Sequence, residues 1–549
     1  MWLNPPLHAH FSVQGLIKKE KMKISIILLI SIFISYQLEA QYFEIVFQQC
    51  YGGSSNEAPK TVLSNGHGFV ILGTTTSIDG DVTINHGKSD FWFIKADESG
   101  QIIWERTYGG SEQDYSANML PSPDGGFVLF GETYSNDGDV GCNHSTNGDW
   151  WLVKTDSLGN ILWSRCYGGT HKETASQLIY AHEGGYVMTG KTGSVDSDIS
   201  HNNGQYDVWV VKVDWEGEII WERTFGGSRW EWASSIGLTT DGGYIVGGGT
   251  LSTNGDVQCE GLPGEHSTAW VLKLDHEGQL EWQNCYGGSY SDAVADILQT
   301  TDGGYVFLGA TASGDGDADC FHGTPGDAAT RDMWVVKLDE TGEIEWHRCL
   351  GGSSMEHPSF IRSMQDGGYL VGGSTKSRDG TVTCNQSLPG TLSVILYKLS
   401  ADGEIEWSKC LGSQVDNQLD DVYIFSDHHF LLGATTRTWG MDVDCNLKGQ
   451  TDIWIVEIQD TTVGLREERL MQLQLYPNPA TSETWLQLPD NIPLTAMYIE
   501  LYSPTGRLLY REQPTSQFHK IEVAYLPRGL YLVRVWDGEK WLVEKLVVR

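Results

Sequence analysis

The chain of 549 residues carries 72 acidic against 36 basic residues, a formal net charge of −36. That balance excludes a nucleic-acid surface as its main role, because a phosphate backbone needs a positive footprint. Its 10 cysteines point to an oxidising compartment, and beyond the run Ile24–Ile34 it has no long apolar segment to span a membrane.

Residues 1–21 read as an untidy leader, untranslated or foreign to the exported protein. Met22-Lys23 then opens a short basic segment, Ile24–Ile34 is too short to span a bilayer comfortably, and Ala40 precedes Gln41. The pattern predicts a secretory signal peptide over 22–40, cleaved after Ala40, and a mature chain with no stable membrane span.

From residue 51 a unit of about sixty residues recurs, the period of a solenoid or propeller. Its landmark is an aromatic or Leu followed by Gly-Gly-Ser/Thr, at Tyr51, Tyr108, Tyr167, Phe225, Tyr286 and Leu350, with a degenerate copy at Leu411. In the unit 167–224, Thr174–Tyr180, Tyr186–Thr192, Asp207–Val213 and Glu218–Arg223 read as four strands. Tyr167-Gly168-Gly169-Thr170, Glu183-Gly184-Gly185 and Asp214-Trp215-Glu216-Gly217 are turns, and 193–206 is a long polar loop. Four antiparallel strands per unit with recurring aromatics predict an all-β, seven-bladed β-propeller over 41–460.

Trp92, Trp151, Trp209, Trp270, Trp334 and Trp454 recur on the third strand, with Ile395 in the sixth unit. Trp104, Trp163, Trp221, Trp282, Trp346 and Trp407 recur on the fourth. Large aromatics at fixed strand positions are expected to pack neighbouring blades together. Lys95, Lys154, Lys212, Lys273, Lys337 and Lys398 follow the third-strand position, with Glu457 in the last unit. Asp90, Asp149, Asp207, Asp332 and Asp452 precede it. Charges this regular predict repeated hydrogen bonds or ion pairs, whereas a catalytic centre would break the repeat at one place.

The last unit runs out after its third strand, Asp452–Ile458. Phe43–Gln49, with Phe47 at the Trp position, supplies the missing fourth strand and closes the ring. The cysteines agree. Within units they pair as Cys142–Cys166, Cys259–Cys285, Cys320–Cys349 and Cys384–Cys410, while the first and third units lack both members. Cys50 and Cys445 remain, in the same relative positions, and predict a disulfide that locks the ring.

The long loops carry Asp79-Gly80-Asp81, Asp137-Gly138-Asp139, Asp196-Ser197-Asp198, Asp315-Gly316-Asp317-Ala318-Asp319 and Asp442-Val443-Asp444. Asp315, Asp317 and Asp319 are candidate calcium ligands; the other reading is an Asx turn, in which Asp bonds nearby amides. The longest loops, Glu260–Thr268, Phe321–Asp332 and Asn385–Ser393, mark a candidate binding face for a glycan or protein. His144, His201, His266 and His322 are scattered through these loops. No nucleophile elbow, P-loop, dinucleotide fingerprint or His-Glu-x-x-His motif is present. Asp156–Trp163 and Asp214–Trp221 resemble the tryptophan-docking repeat of quinoprotein dehydrogenases, but without a cofactor set.

After a linker at 461–468, residues 469–549 form short alternating strands: Leu470–Tyr476, Thr484–Leu488, Tyr498–Tyr502, His519–Val523, Gly529–Trp536 and Trp541–Val548. A small β-sandwich is predicted. Leu475-Tyr476-Pro477-Asn478-Pro479-Ala480, Tyr502-Ser503-Pro504-Thr505-Gly506, Leu526-Pro527-Arg528-Gly529-Leu530-Tyr531 and Lys545-Leu546-Val547-Val548 resemble the type A sorting domain of the Bacteroidetes type IX secretion system. The resemblance implies export through the periplasm, engagement of that machinery by 469–549, and release or anchoring at the outer-membrane surface. The propeller resembles secreted bacterial propeller-repeat proteins, which share no ligand. Two roles follow as expectations: a surface binding or adhesion module, or a secreted polysaccharide-active hydrolase or lyase.

Overall fold

In every unit, turns rich in glycine separate four runs of alternating or wholly apolar residues, and each unit folds as one antiparallel four-stranded sheet. The structure is a computed structural model that describes residues 43–64, 68–259, 265–460, 473–488, 494, 497–503, 507–514, 516–536 and 541–549. The leader, the signal peptide 22–40, the linker 461–468 and loop residues 260–264 lie outside the described residues.

Blade 3 consists of Glu173–Tyr180, Tyr186–Thr192, Asp207–Val213 and Ile219–Phe225, paired in chain order. Its fourth strand runs two residues further than the sequence suggests, because Thr224 and Phe225 pair with Trp209 and Val208. Blades 1, 2, 4, 5 and 6 repeat this order over 57–108, 114–167, 231–286, 292–350 and 356–411. Blade 7 takes Asn417–Ser426, His429–Thr436 and Asp452–Asp460 from one end of the propeller and Phe43–Tyr51 from the other.

Each sheet packs on the next, and blade 1 packs on blade 7 through Glu57–Ser64 against Asn417–Ser426 and His429–Thr436. Apolar clusters therefore straddle neighbouring blades: Trp209 stacks on Trp150 with ring centroids 4.2 Å apart, and Trp151 meets Phe91 at 5.0 Å. All six third-strand tryptophans are buried. At roughly 25 cal/mol per Å² and about 200 Å² each, their burial favours folding by on the order of 5 kcal/mol apiece before entropy is subtracted.

The closing strand is held by more than sheet pairing. Cys50 is bonded to Cys445 with Cα atoms 5.5 Å apart. Gln48 Oε1 accepts from Trp454 Nε1 at 3.0 Å and from the Asp444 amide at 3.0 Å. Blades 2, 4, 5 and 6 carry the internal bridges Cys142–Cys166, Cys259–Cys285, Cys320–Cys349 and Cys384–Cys410. Every first strand has a bulge, and the two bulged residues at the closure, Lys60 and Asp420, form an ion pair at 3.5 Å.

The lysine column is an ion-pair column. Lys154, Lys273, Lys337 and Lys398 reach Asp124, Asp241, Asp302 and Asp366 at 2.6, 2.8, 2.9 and 2.7 Å. In blade 7, where Glu457 replaces the lysine, His429 bonds it at 2.7 Å.

The C-terminal residues form a three-stranded sheet, Gln474–Tyr476, Glu483–Gln487 and Phe518–Glu522, and a four-stranded one. The latter is ordered Leu508–Glu512, Tyr498–Tyr502, Gly529–Trp536, Trp541–Val548. Leu486, Ile499, Leu501, Ile521, Val533 and Leu546 are buried between them. Leu508–Glu512 was not expected from the sequence; it is an edge strand whose leucines face solvent, so its pattern lacks alternation.

Candidate functional site

The Asp-rich runs sit against the Gly-Gly turns. Asp315 Oδ1 accepts from the Ser289 amide at 2.7 Å and Oδ2 from its hydroxyl at 2.5 Å, while Asp317 Oδ2 accepts from the Gly287 amide at 3.1 Å. Asp137 Oδ1 and Asp139 Oδ2 accept in the same way from the amides of Ser111 and Gly109. The hydroxyl and amide of Ser289 hold the Asp315 carboxyl below its ordinary range. Gly316, at φ +64°, turns the run back on itself, and a short 3₁₀ turn covers Gly316–Ala318. Asp319 points elsewhere, 3.5 Å from His347 Nε2. Among the described residues, no group of three or more His, Cys, Asp or Glu is arranged to hold a metal ion.

Beneath five of the seven turns two blades bring carboxyl groups together. A Cβ on Gly168 would lie 2.6 Å from Glu173 Oε2 and 2.8 Å from Asp149 Oδ1, so both carboxyls face one glycine and no larger residue fits. Asp452 and Glu57, Asp90 and Asp114, Asp207 and Glu231, and Asp332 and Glu356 flank Gly52, Gly109, Gly226 and Gly351 alike. Glu173 takes the Gly169 amide and the Thr192 hydroxyl; Asp149 Oδ2 takes both the amide and Nδ1 of His144. Oδ1 of Asp90, Asp149, Asp207, Asp332 and Asp452 has no partner. Burial pushes Asp149, Asp207 and Asp452 up to about 6, and Glu173 and Glu356 up to about 7. At the junction of blades 4 and 5 Thr268 stands in the Asp position and only Asp292 meets Gly287, and at the junction of blades 6 and 7 the pair is replaced by Ser393 and Asn417.

One position breaks the repeat. The second-strand residue opposite the one preceding the third-strand Trp position is Thr74, Gly249, Ala310, Ser374 and Thr435 in blades 1, 4, 5, 6 and 7. In blade 2 it is Glu132 and in blade 3 Lys191. Around them lies an aromatic strip. Lys172 Nζ sits 5.3 Å from the Tyr134 ring centroid, and Lys191 Nζ sits 5.1 Å from Tyr206 and 5.7 Å from Trp230. Tyr115 meets Tyr134 edge-on at 6.4 Å, and Tyr206 meets Trp230 at 5.2 Å. Tyr115 is 41% exposed and Trp230 45%. Glu132 Oε2 and Thr174 Oγ1 have no partner. Burial lifts the Glu132 carboxyl against the pull of Lys172 and Lys191. Burial and the Lys172 charge lower the Lys191 ammonium.

The long loops of the later blades are folded on themselves. His322 donates its amide and ring Nδ1 to Asp332 at 3.0 and 2.7 Å, and Asn385 Nδ2 donates to the Ser377 carbonyl at 2.9 Å. His144 bonds Asp149 in the same way, His201 bonds Asn203, and His266 rests against Tyr290. The strip on blades 2–4 was missed at sequence level; its signal is the pair of charged residues in a column otherwise small or hydroxylated.

Residues 474–549 match the family model of the secretion system C-terminal sorting domain. The chain is cargo of a type IX secretion system, of the Bacteroidetes type. The cargo is a secreted or cell-surface protein, and no helix among its described residues is long and apolar enough to cross a membrane. It is 24% identical over 410 residues to the regulatory protein FlaEY of Caulobacter vibrioides, matching 66% of this chain but 41% of that protein. Among solved structures it is similar to PorZ, a surface component of the type IX secretion system of Porphyromonas gingivalis, at 12% identity and a TM-score of 0.36 over 91% of this chain and 60% of that one. It is also similar to puromycin hydrolase, at 12% identity and a TM-score of 0.43 over 80% and 61%. No activity is carried over from likenesses this distant.

A chain truncated after residue 468 is expected to keep its propeller yet accumulate in the periplasm. Cell fractionation checks this, and surface delivery of the truncated chain would contradict it.

Proposed function

We propose that the exported propeller is a surface binding or adhesion module, and that it takes a glycan or protein ligand on the strip formed by blades 2–4. The observation that carries this is the break in repeat at Glu132 and Lys191, flanked by part-exposed Tyr115 and Trp230. Rigid aromatic side chains offer contact area at low entropic cost, and nearby charges fix orientation. This moves the binding face inward from the long loops of blades 4–6. A glycan array and a surface pull-down with the secreted chain test it. Trp230→Ala with Tyr206→Ala should abolish retention, whereas alanine substitutions at Phe321 and Leu388 should leave it intact.

A second reading, a polysaccharide hydrolase or lyase, draws on one observation: the Glu132 carboxyl is raised beside two ammonium groups. A carboxyl raised by burial in this way is a candidate to carry a proton. Release of new reducing ends or of unsaturated uronate from a bound polysaccharide, lost in Glu132→Gln, would favour it over binding alone.

A further inference from the structure

Resting on that reading of the strip, we propose that its ligand is a polysaccharide bearing hexuronate residues, with a sugar ring against Trp230 and Tyr206 and its carboxylate on the Lys191 ammonium. The chain has a net charge of −36, so a cation without a carboxylate partner is informative. Lys154, Lys273, Lys337 and Lys398 are each held by an acidic side chain within 3 Å. Among the described residues, Lys172 and Lys191 make no such pair; their ammonium groups lie against Tyr134, Tyr206 and Trp230 instead.

Glu132 lies within electrostatic reach of both lysines and leaves the strip with two cations to one carboxyl. An anion docked between the lysines completes that charge set. A carboxylate accepting from an ammonium forms a charge-assisted bond, about twice as strong as a neutral one. The aromatic faces select a ligand with flat apolar patches, which the axial C–H face of a pyranose presents. The indole of Trp230 is already fixed, because its Nε1 donates to Gln205 Oε1. The acidic remainder of the surface opposes a polyanion only at short range, since the Debye length is about 8 Å at physiological ionic strength. The strip therefore suits a few consecutive sugars rather than a long tract.

The test is isothermal titration of the full secreted chain with oligogalacturonate and with its carboxyl-reduced, neutral counterpart. Oligogalacturonate is expected to bind at least tenfold more tightly. Lys191→Met should remove that tenfold advantage, and Trp230→Ala should weaken binding of both oligosaccharides. Circular dichroism and the thermal midpoint confirm that each variant is folded. Equal affinity for the two oligosaccharides would overturn the uronate inference and leave the binding-module reading standing. Binding of neither, or retention of an acidic peptide alone, would overturn the inference and take the glycan half of that reading with it.

Discussion

Replacing both Cys50 and Cys445 with serine is expected to destabilise the propeller more than removing any other bridge. The bond joins residues 395 apart, whereas Cys142–Cys166 spans 24. In the chain-entropy account, stabilisation grows with the logarithm of loop length, so the closing bridge should contribute about 2.5 kcal/mol more than the short one. Its loss also leaves the strand Phe43–Tyr51 held by non-covalent contacts such as sheet pairing and Gln48, so that Asp452–Asp460 opens more readily as an edge able to pair with another chain. Urea midpoints of the two double-serine variants check the order, and light scattering checks the edge. Equal losses would mean that the ring is held shut by its blade-to-blade packing alone.

The second large effect is on pH. Folding raises Glu173 from 4.5 to about 7 and Asp149 from 3.8 to about 6, both by burial. A carboxyl raised on folding binds its proton more tightly in the native state, so stability falls as pH rises from the unfolded pKa through the folded one. The window is roughly pH 4 to 7, and this pair should lose on the order of 3 kcal/mol for each of its two carboxyls across it. The groups facing this pair are His144, Thr192, Ser194 and Asp198. Other carboxyls set the acid limit: burial opposes it, but bonds from Lys273, Thr239 and the Gly243 amide hold Asp241 at about 2. Its contribution is present above pH 4 and is lost as pH falls toward 2. The protein should thus be most stable in mildly acid solution and weaken toward pH 8. The variant Asp149→Asn with Glu173→Gln copies the neutral pair that the chain already uses at Ser393 and Asn417. It should lose less stability between pH 5 and 8 than the parent. Parallel urea midpoints for parent and variant across that range would refute the account of the pair.

The fold was legible because its signals repeat. A tryptophan on the third strand, a glycine pair at each turn and a cysteine column with two absent pairs all carry the same period. The displaced partners Cys50 and Cys445 therefore show which strand closes the ring. Strand ends were less legible: the fourth strand of blade 3 extends to Phe225 through pairing with Val208, a contact made across the hairpin. Leu508–Glu512 escaped because an exposed edge strand needs no apolar alternation.

The site was harder to read for a physical reason. The Asp column before the third strand is visible in sequence, but its partner carboxyl belongs to the following blade, so the pair exists only once blades are packed. Likewise Glu132 and Lys191 lie in different repeats, and loop length drew attention to Phe321–Asp332 and Asn385–Ser393 instead. Those loops are closed by internal bonds such as His322 to Asp332. The acidic runs at Asp315 and Asp317 are tied to the turn through Ser289 and Gly287.

A ligand that docks as proposed should cover the strip of blades 2–4. Oxidative footprinting of the secreted chain with and without oligogalacturonate tests it most directly. Protection is predicted at Tyr115, Tyr206 and Trp230, with Trp439, which is 78% exposed on blade 7, unaffected. Protection confined to Phe321 and the loops of blades 5 and 6, with Trp230 unchanged, would contradict it.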